Sequence, residues 1–201
     1  MDCQEKLHYK AAFMPLNAEH YNASVALLII DIQETFLGTV TNGDTLLQRC
    51  CFAAEAAKLF EVPVFLTEQV PKKLGPIHPH LAAIARESPV FAKSTFSAMQ
   101  LLRLKKELQD ASIQHLLIAG LETPVCIFQT VMDALRQNFR LTLLSDCIAC
   151  RRREDGEAVM AYLGSQPNVF RLPSEAVFYS ILGGANNPQF RSFTKLVKKY
   201  G

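Results

Sequence analysis

The chain has 201 residues, 49% hydrophobic and 20% charged, which suits one globular domain with a substantial core. Its formal net charge of +2 gives no strong field for gathering nucleic acid, and the basic runs at Lys72-Lys73, Lys105-Lys106, Arg151-Arg152-Arg153 and Lys198-Lys199 are scattered enough to read as solvated surface. No apolar run reaches the length of a membrane span and no Gly-x-Gly-x-x-Gly is present, so neither a membrane nor a dinucleotide cofactor is expected.

Residues 1–23 have mixed polarity and no period, and read as an N-terminal extension ahead of a domain over 24–201. Asp2 and Glu5 with no arginine make a poor mitochondrial transit peptide; the cytoplasm is favoured and the mitochondrion stays open. No secretory signal is read, so the six cysteines are expected as free thiols.

Val25 to Ile30 is a continuous apolar run of strand length that ends on Asp31. In open parallel sheets functional groups gather beyond the carboxyl ends of strands, although aspartate also commonly begins turns. Thr45 to Phe60 has a helical apolar face, and Val62 to Leu66 is the second strand. A loop rich in Pro, Lys and Gly runs to Pro79, followed by a short helix from His80 to Arg86. His78 and His80 flank a proline at a spacing that does not suit a metal site, so no metal is expected. In Val90 to Ser97, Lys93 is a lone cation among largely apolar residues, of the kind that usually snorkels to water.

Met99 to Leu108 reads as a helix and His115 to Ile118 as a buried strand entering a tight turn at Ala119-Gly120. Thr123 is a good N-cap and Pro124 suits the first helical position, which sets Cys126 in the first turn of a helix running to Gln137. Unpaired N–H groups and the positive dipole end there are expected to lower the thiol pKa. Leu141 to Leu144, Glu154 to Leu163, Val169 to Leu172, Ser174 to Leu182 and Asn187 to Tyr200 continue the alternation of strand and helix. Cys147-Ile-Ala-Cys150 is a single C-x-x-C with no second ligand pair, so neither a redox nor a zinc role is expected, and Cys50-Cys51 lies on a helical face and reads as packing. This βαβ succession predicts a parallel sheet covered on both faces, a three-layer α/β/α sandwich.

The three singled-out residues form a coherent chemistry. Asp31 is suited to take the thiol proton, Lys93 to hold carboxylate and thiolate together, and Cys126 to attack a carbonyl. Backbone N–H groups of Cys126 and of the Gly120–Glu122 turn would face the developing oxyanion.

Leu28 to Phe36 (LIIDIQETF), Phe91 to Ser97 (FAKSTFS) and Ala119 to Cys126 (AGLETPVC) resemble, in order, the three signature segments of the isochorismatase-like cysteine hydrolase superfamily. The resemblance implies a Rossmann-like, mostly parallel sheet with Asp31, Lys93 and Cys126 as catalytic triad. It also implies hydrolysis of amides and related C–N bonds through a thioester, and a cis peptide at Leu121–Glu122 that turns the Glu122 N–H toward the oxyanion. Val62 to Gln69, Leu74-Gly75-Pro76 and Asn187 to Phe190 resemble the isochorismatase-domain-containing branch, some of whose members carry a mitochondrial-associated ribonuclease name. Nicotinamidases carry an Asp-x-His metal stretch where this chain has Thr67-Glu68-Gln69-Val70. The expectation is therefore a cofactor-free cysteine hydrolase of a small amide, imide or ureido compound, with Phe36, Glu68 and Phe96 lining the substrate pocket. Homo-oligomers are common in the family. The alternatives are a ribonuclease, or a non-catalytic interaction protein that keeps the fold.

Overall fold

The computed structural model describes residues 24–201, so the expected extension over 1–23 lies outside the described residues. Six strands form one sheet: β1 (Val25–Ile30), β2 (Val64–Gln69), β3 (Val90–Lys93), β4 (His115–Gly120), β5 (Arg140–Ile148) and β6 (Val169–Leu172). Their order is β3-β2-β1-β4-β5-β6 and every pair is parallel. This is the Rossmann-like order, with a switch point between β1 and β4 where the chain leaves in opposite directions.

Both central strands are buried along their whole length. That explains why they read as unbroken apolar runs instead of alternating patterns. Their side chains still alternate between two cores. Leu27 and Ile29 face a layer containing α2 (Gly43–Leu59), α8 (Ser174–Leu182) and α9 (Phe190–Tyr200), where Phe52, Phe178 and Phe193 pack together. Ala26, Leu28 and Ile30 face α5 (Leu102–Asp110), α6 (Phe128–Arg136) and α7 (Arg153–Gly164) through Leu104, Val131 and Leu163. The three-layer α/β/α architecture is thus set by which face of β1 each residue occupies.

Some boundaries differ from the sequence expectation. The second strand begins at Val64 and not Val62, because Pro63 has no N–H for a ladder; its carbonyl instead accepts from Leu27 N at 2.8 Å. The same strand runs on to Gln69, and β5 extends to Ile148. Short helices α1 (Glu34–Leu37), α3 (Pro71–Leu74) and α4 (Pro79–Ile84) occupy the connections around the first two strands. The terminal helix begins at Phe190, after Asn187 Oδ1 accepts the Gln189 N–H at 2.9 Å.

At the switch point Ile30 pairs with Gly120. Gly120 has φ 118°, and a Cβ there would lie 2.6 Å from the Ile30 nitrogen and closer still to its carbonyl oxygen. Only glycine lets the two central strands meet at this point.

Candidate active site

Asp31 leaves β1 at φ 56°, in the left-handed region that aspartate and asparagine tolerate. Its N–H donates to Thr67 O at 3.1 Å, and its Oδ1 accepts the Thr67 hydroxyl at 2.8 Å. From the end of β3, Lys93 sends its Nζ across β2 to Asp31 Oδ2, 2.6 Å away. The ammonium also donates to Gln69 Oε1 and lies 3.4 Å from Thr95 O and 3.5 Å from Cys126 Sγ. Lys93 does not snorkel: its side chain has no solvent exposure, because four polar partners meet it inside the fold.

Gln69 is itself fixed. Its N–H donates to Gln33 Oε1 at 2.7 Å, while Gln33 Nε2 donates back to Gln69 O at 3.1 Å. The next residue, Val70, has φ 41°, a strained conformation for a β-branched side chain, and its N–H donates to Lys93 O at 2.8 Å. These bonds tie the ends of β1, β2 and β3 into one rigid corner.

Cys126 lies in a single π-turn, Thr123–Ile127, that leads into α6. The residue preceding this turn is Glu122, not Thr123. The Thr123 hydroxyl is turned away from a capping role and donates to Ala149 O at 2.8 Å. The peptide Leu121–Glu122 is cis. The Glu122 carboxylate accepts the Arg151 N–H at 3.0 Å, and its carbonyl accepts from Val125 and Ile127 N at 3.1 and 3.2 Å.

The expectation of a lowered thiol pKa is overturned. Burial pushes the Cys126 thiol up to about 12, and the neighbouring Asp31 carboxylate adds to the rise; the Lys93 ammonium opposes it without prevailing. The local helix-end argument fails because it ignores desolvation and a carboxylate delivered from another strand.

A cavity of about 380 Å³ opens over Asp31, Gln69 and Cys126, within the ordinary range for small-molecule sites. Phe36, Phe96 and Val125 supply its apolar wall, and Thr35, Thr39, Glu122 and Arg151 complete it. The structure therefore brings Asp31, Lys93 and Cys126 together and sets Phe36 and Phe96 beside them. It does not bring Glu68 to the cavity. Glu68 Oε1 instead accepts the Ile77 N–H at 2.9 Å, since strand alternation turns it away from the side used by Thr67 and Gln69. Thr67, Gln69, Gln33 and Arg151 were the residues missed from sequence. Counting alternate positions from Asp31's neighbour strand would have found the first two.

Other sequence features settle into structural roles. His78 Nδ1 accepts the His80 N–H at 3.2 Å at the start of α4. Among the described residues no group of three or more His, Cys, Asp or Glu is arranged to hold a metal ion. Among the same residues no helix is long and apolar enough to cross a membrane. Cys50, Cys51, Cys147 and Cys150 are free thiols; Cys147 donates to Arg49 O at 3.3 Å and Cys150 to Arg152 O at 3.1 Å.

A three-layer Rossmann-like domain with polar groups gathered at its central strand ends is the fold of the isochorismatase-type hydrolases, and comparison with known proteins agrees. The isochorismatase domain profile matches residues 25–169, and the chain belongs to the isochorismatase family. Mouse isochorismatase domain-containing protein 2A is 31% identical over 177 residues, covering 88% of this chain and 84% of that one. A structure of the MAR1 ribonuclease from Caenorhabditis elegans superposes with a TM-score of 0.82 at 27% identity, covering 88% of this chain and 91% of the other. The YcaC gene product of Escherichia coli, described as an octameric hydrolase of unknown specificity, shares the fold with a TM-score of 0.80 at 19% identity, over 94% and 97% of the two chains.

Proposed function

We propose that this protein is a cysteine-dependent hydrolase that cleaves the C–N bond of a small amide, imide or ureido compound. One observation carries the reading: a buried ammonium 2.6 Å from a carboxylate and 3.5 Å from a thiol, beneath a cavity of substrate size. The high thiol pKa is compatible with this chemistry. Ionising Cys126 to solvent would leave a net negative charge in a buried site. Passing its proton to Asp31 leaves the three groups together neutral, with the Lys93 ammonium between them.

Cys126 Sγ attacks the substrate carbonyl carbon while its proton goes to Asp31. The C–N bond then breaks, the leaving nitrogen takes that proton from Asp31, and an acyl thioester remains on Cys126. Water attacks the thioester with Asp31 as base, releasing the acid and returning the proton to the thiol. Backbone N–H groups of Glu122 and Cys126 serve as the oxyanion donors in this proposal. Phe36 and Phe96 contact the apolar part of the substrate.

The working domain in this reading spans 24–201 and acts on a small molecule as a homo-oligomer; the fold neighbour YcaC is described as octameric. Exposed Phe96 and Leu102, at 50% and 80%, suit such burial. The ribonuclease name borne by the C. elegans relative finds little support among the described residues, where His78 Nδ1 is engaged by the His80 N–H at the start of α4. The test is Cys126→Ala on a panel of small amides and ureides, expected to abolish turnover while leaving the melting temperature within a few degrees of wild type. Turnover that survives in that variant would end the proposal.

A further inference from the structure

Arg151 belongs to an arginine run that reads as surface, yet it stands on the wall of the site cavity. It also lines a second cavity of about 380 Å³, which takes in Arg153 and Arg171. Three guanidinium groups line that second space, of which Arg153 is paired with Glu157 at 2.6 Å. Arg151 is held in place by Glu122: its main-chain N–H donates to Oε1 at 3.0 Å, and its Nε lies 3.5 Å from Oε2. Nη1 and Nη2 carry no protein partner among the described residues, and 62% of the side chain is exposed.

The rest of the site cavity offers few open donors. The hydroxyls of Thr35 and Thr39 are spent on Leu74 O and Phe36 O, at 2.9 and 2.7 Å. The Gln69 amide donates to Ser94 O at 3.3 Å while its oxygen holds Lys93. Phe36, Phe96 and Val125 are apolar. Away from the Asp31–Lys93–Cys126 corner, the open donor edge is the outer face of the Arg151 guanidinium. Its paired Nη groups match the two oxygens of one carboxylate.

We propose that Arg151 is a specificity-determining residue: it anchors a carboxylate on the substrate, so the preferred substrates are small amides bearing a remote carboxylate. This rests on the cysteine-hydrolase reading above. The acyl chain would cross the Phe36 and Phe96 wall, with the scissile carbonyl at Cys126 and the acid at Arg151.

A matched pair of activated esters tests it: mono-p-nitrophenyl glutarate, whose five-carbon acyl group ends in a carboxylate, and p-nitrophenyl valerate, which lacks one. Attack by the Cys126 thiol forms the S–acyl bond and expels p-nitrophenol, and the adduct is read as mass added at Cys126. Wild type is expected to acylate about tenfold or more faster with the glutarate ester, in line with a charge-assisted hydrogen bond. Arg151→Gln should bring the ratio near unity, and Arg151→Lys should keep part of it. Equal acylation of wild type by both esters overturns the anchor and leaves the cysteine reading standing. If Arg151 only braces Glu122, Arg151→Gln slows both esters together with the ratio unchanged, which also overturns the anchor. Failure of both esters to label wild-type Cys126 strikes the cysteine reading itself, and the anchor with it.

Discussion

Removing the Lys93 charge should unfold much of what its burial stabilises. Lys93→Met leaves Asp31 as a carboxylate with no solvent exposure and no cation. At 2.6 Å and an effective dielectric near 20, the lost attraction is about 6 kcal/mol. Asp31 keeps its Thr67 hydrogen bond, so the net loss should fall in the range of about 3–5 kcal/mol seen when one partner of a buried pair is removed. For a domain of this size that is a fall in melting temperature of roughly 6–20 °C. The decisive comparison is a double-mutant cycle with Asp31→Asn. Asparagine tolerates the φ of 56° at that position, so the second change removes charge without adding backbone strain. The double variant should recover most of the loss, with a coupling of about 2 kcal/mol or more by urea denaturation. Strict additivity within about 0.5 kcal/mol would refute the view that these two charges stabilise each other.

Three further outcomes follow from other parts of the molecule. Burial, with Arg140 nearby, holds the His115 pKa down from 6.5 to about 4, so its contribution is complete above pH 6.5 and is lost as pH falls toward 4. The loss is about 3 kcal/mol across that window; His115→Gln should flatten this limb of the stability profile, and an NMR-titrated folded pKa of 6 or more would contradict it. Gly120→Ala forces a Cβ onto the Ile30 main chain and should cost more than about 4 kcal/mol, read as loss of soluble protein or of the thermal transition; a variant melting near wild type would show that the strands can separate there freely. Alkylation of Cys126 by iodoacetamide should keep rising into the alkaline range, with the less buried Cys150 modified first; a Cys126 midpoint below that of a free thiol, about 8.5, would show that Lys93 outweighs burial.

The strands of the centre were legible because a segment buried on both faces is largely apolar, as Val25 to Ile30 and Leu116 to Ile118 are, although β4 runs on through Ala119-Gly120, which read as a turn. Val169–Leu172 and Ser174–Leu182 were legible to the residue, with Pro173 marking the break between them and Gly183 at φ 74° closing the helix. Strand order was not legible, since periodicity says nothing about which strand lies next to which. The same limit applies to charge. The sequence around Cys126 shows a helix start, but the thiol's environment is set first by burial and then by Asp31 and Lys93 from other strands. Glu68 was expected to line the pocket, yet its neighbours Thr67 and Gln69 face the corner and it does not. Arg151 was hidden by composition, because three consecutive arginines look alike until the turn after β5 directs one of them to the cavity.

β3 is a four-residue strand at the edge of the sheet, where backbone pairing is thinnest. Its last side chain reaches over β2 to a carboxylate on the central strand, so the ion pair works as a rivet through three strands. The polar corner and the sheet margin are consequently one mechanical unit. Loosening the edge withdraws the ammonium, and losing the ammonium frees the edge. Amide hydrogen exchange along Val90 to Lys93 would then report on whether the Lys93–Asp31 pair is intact.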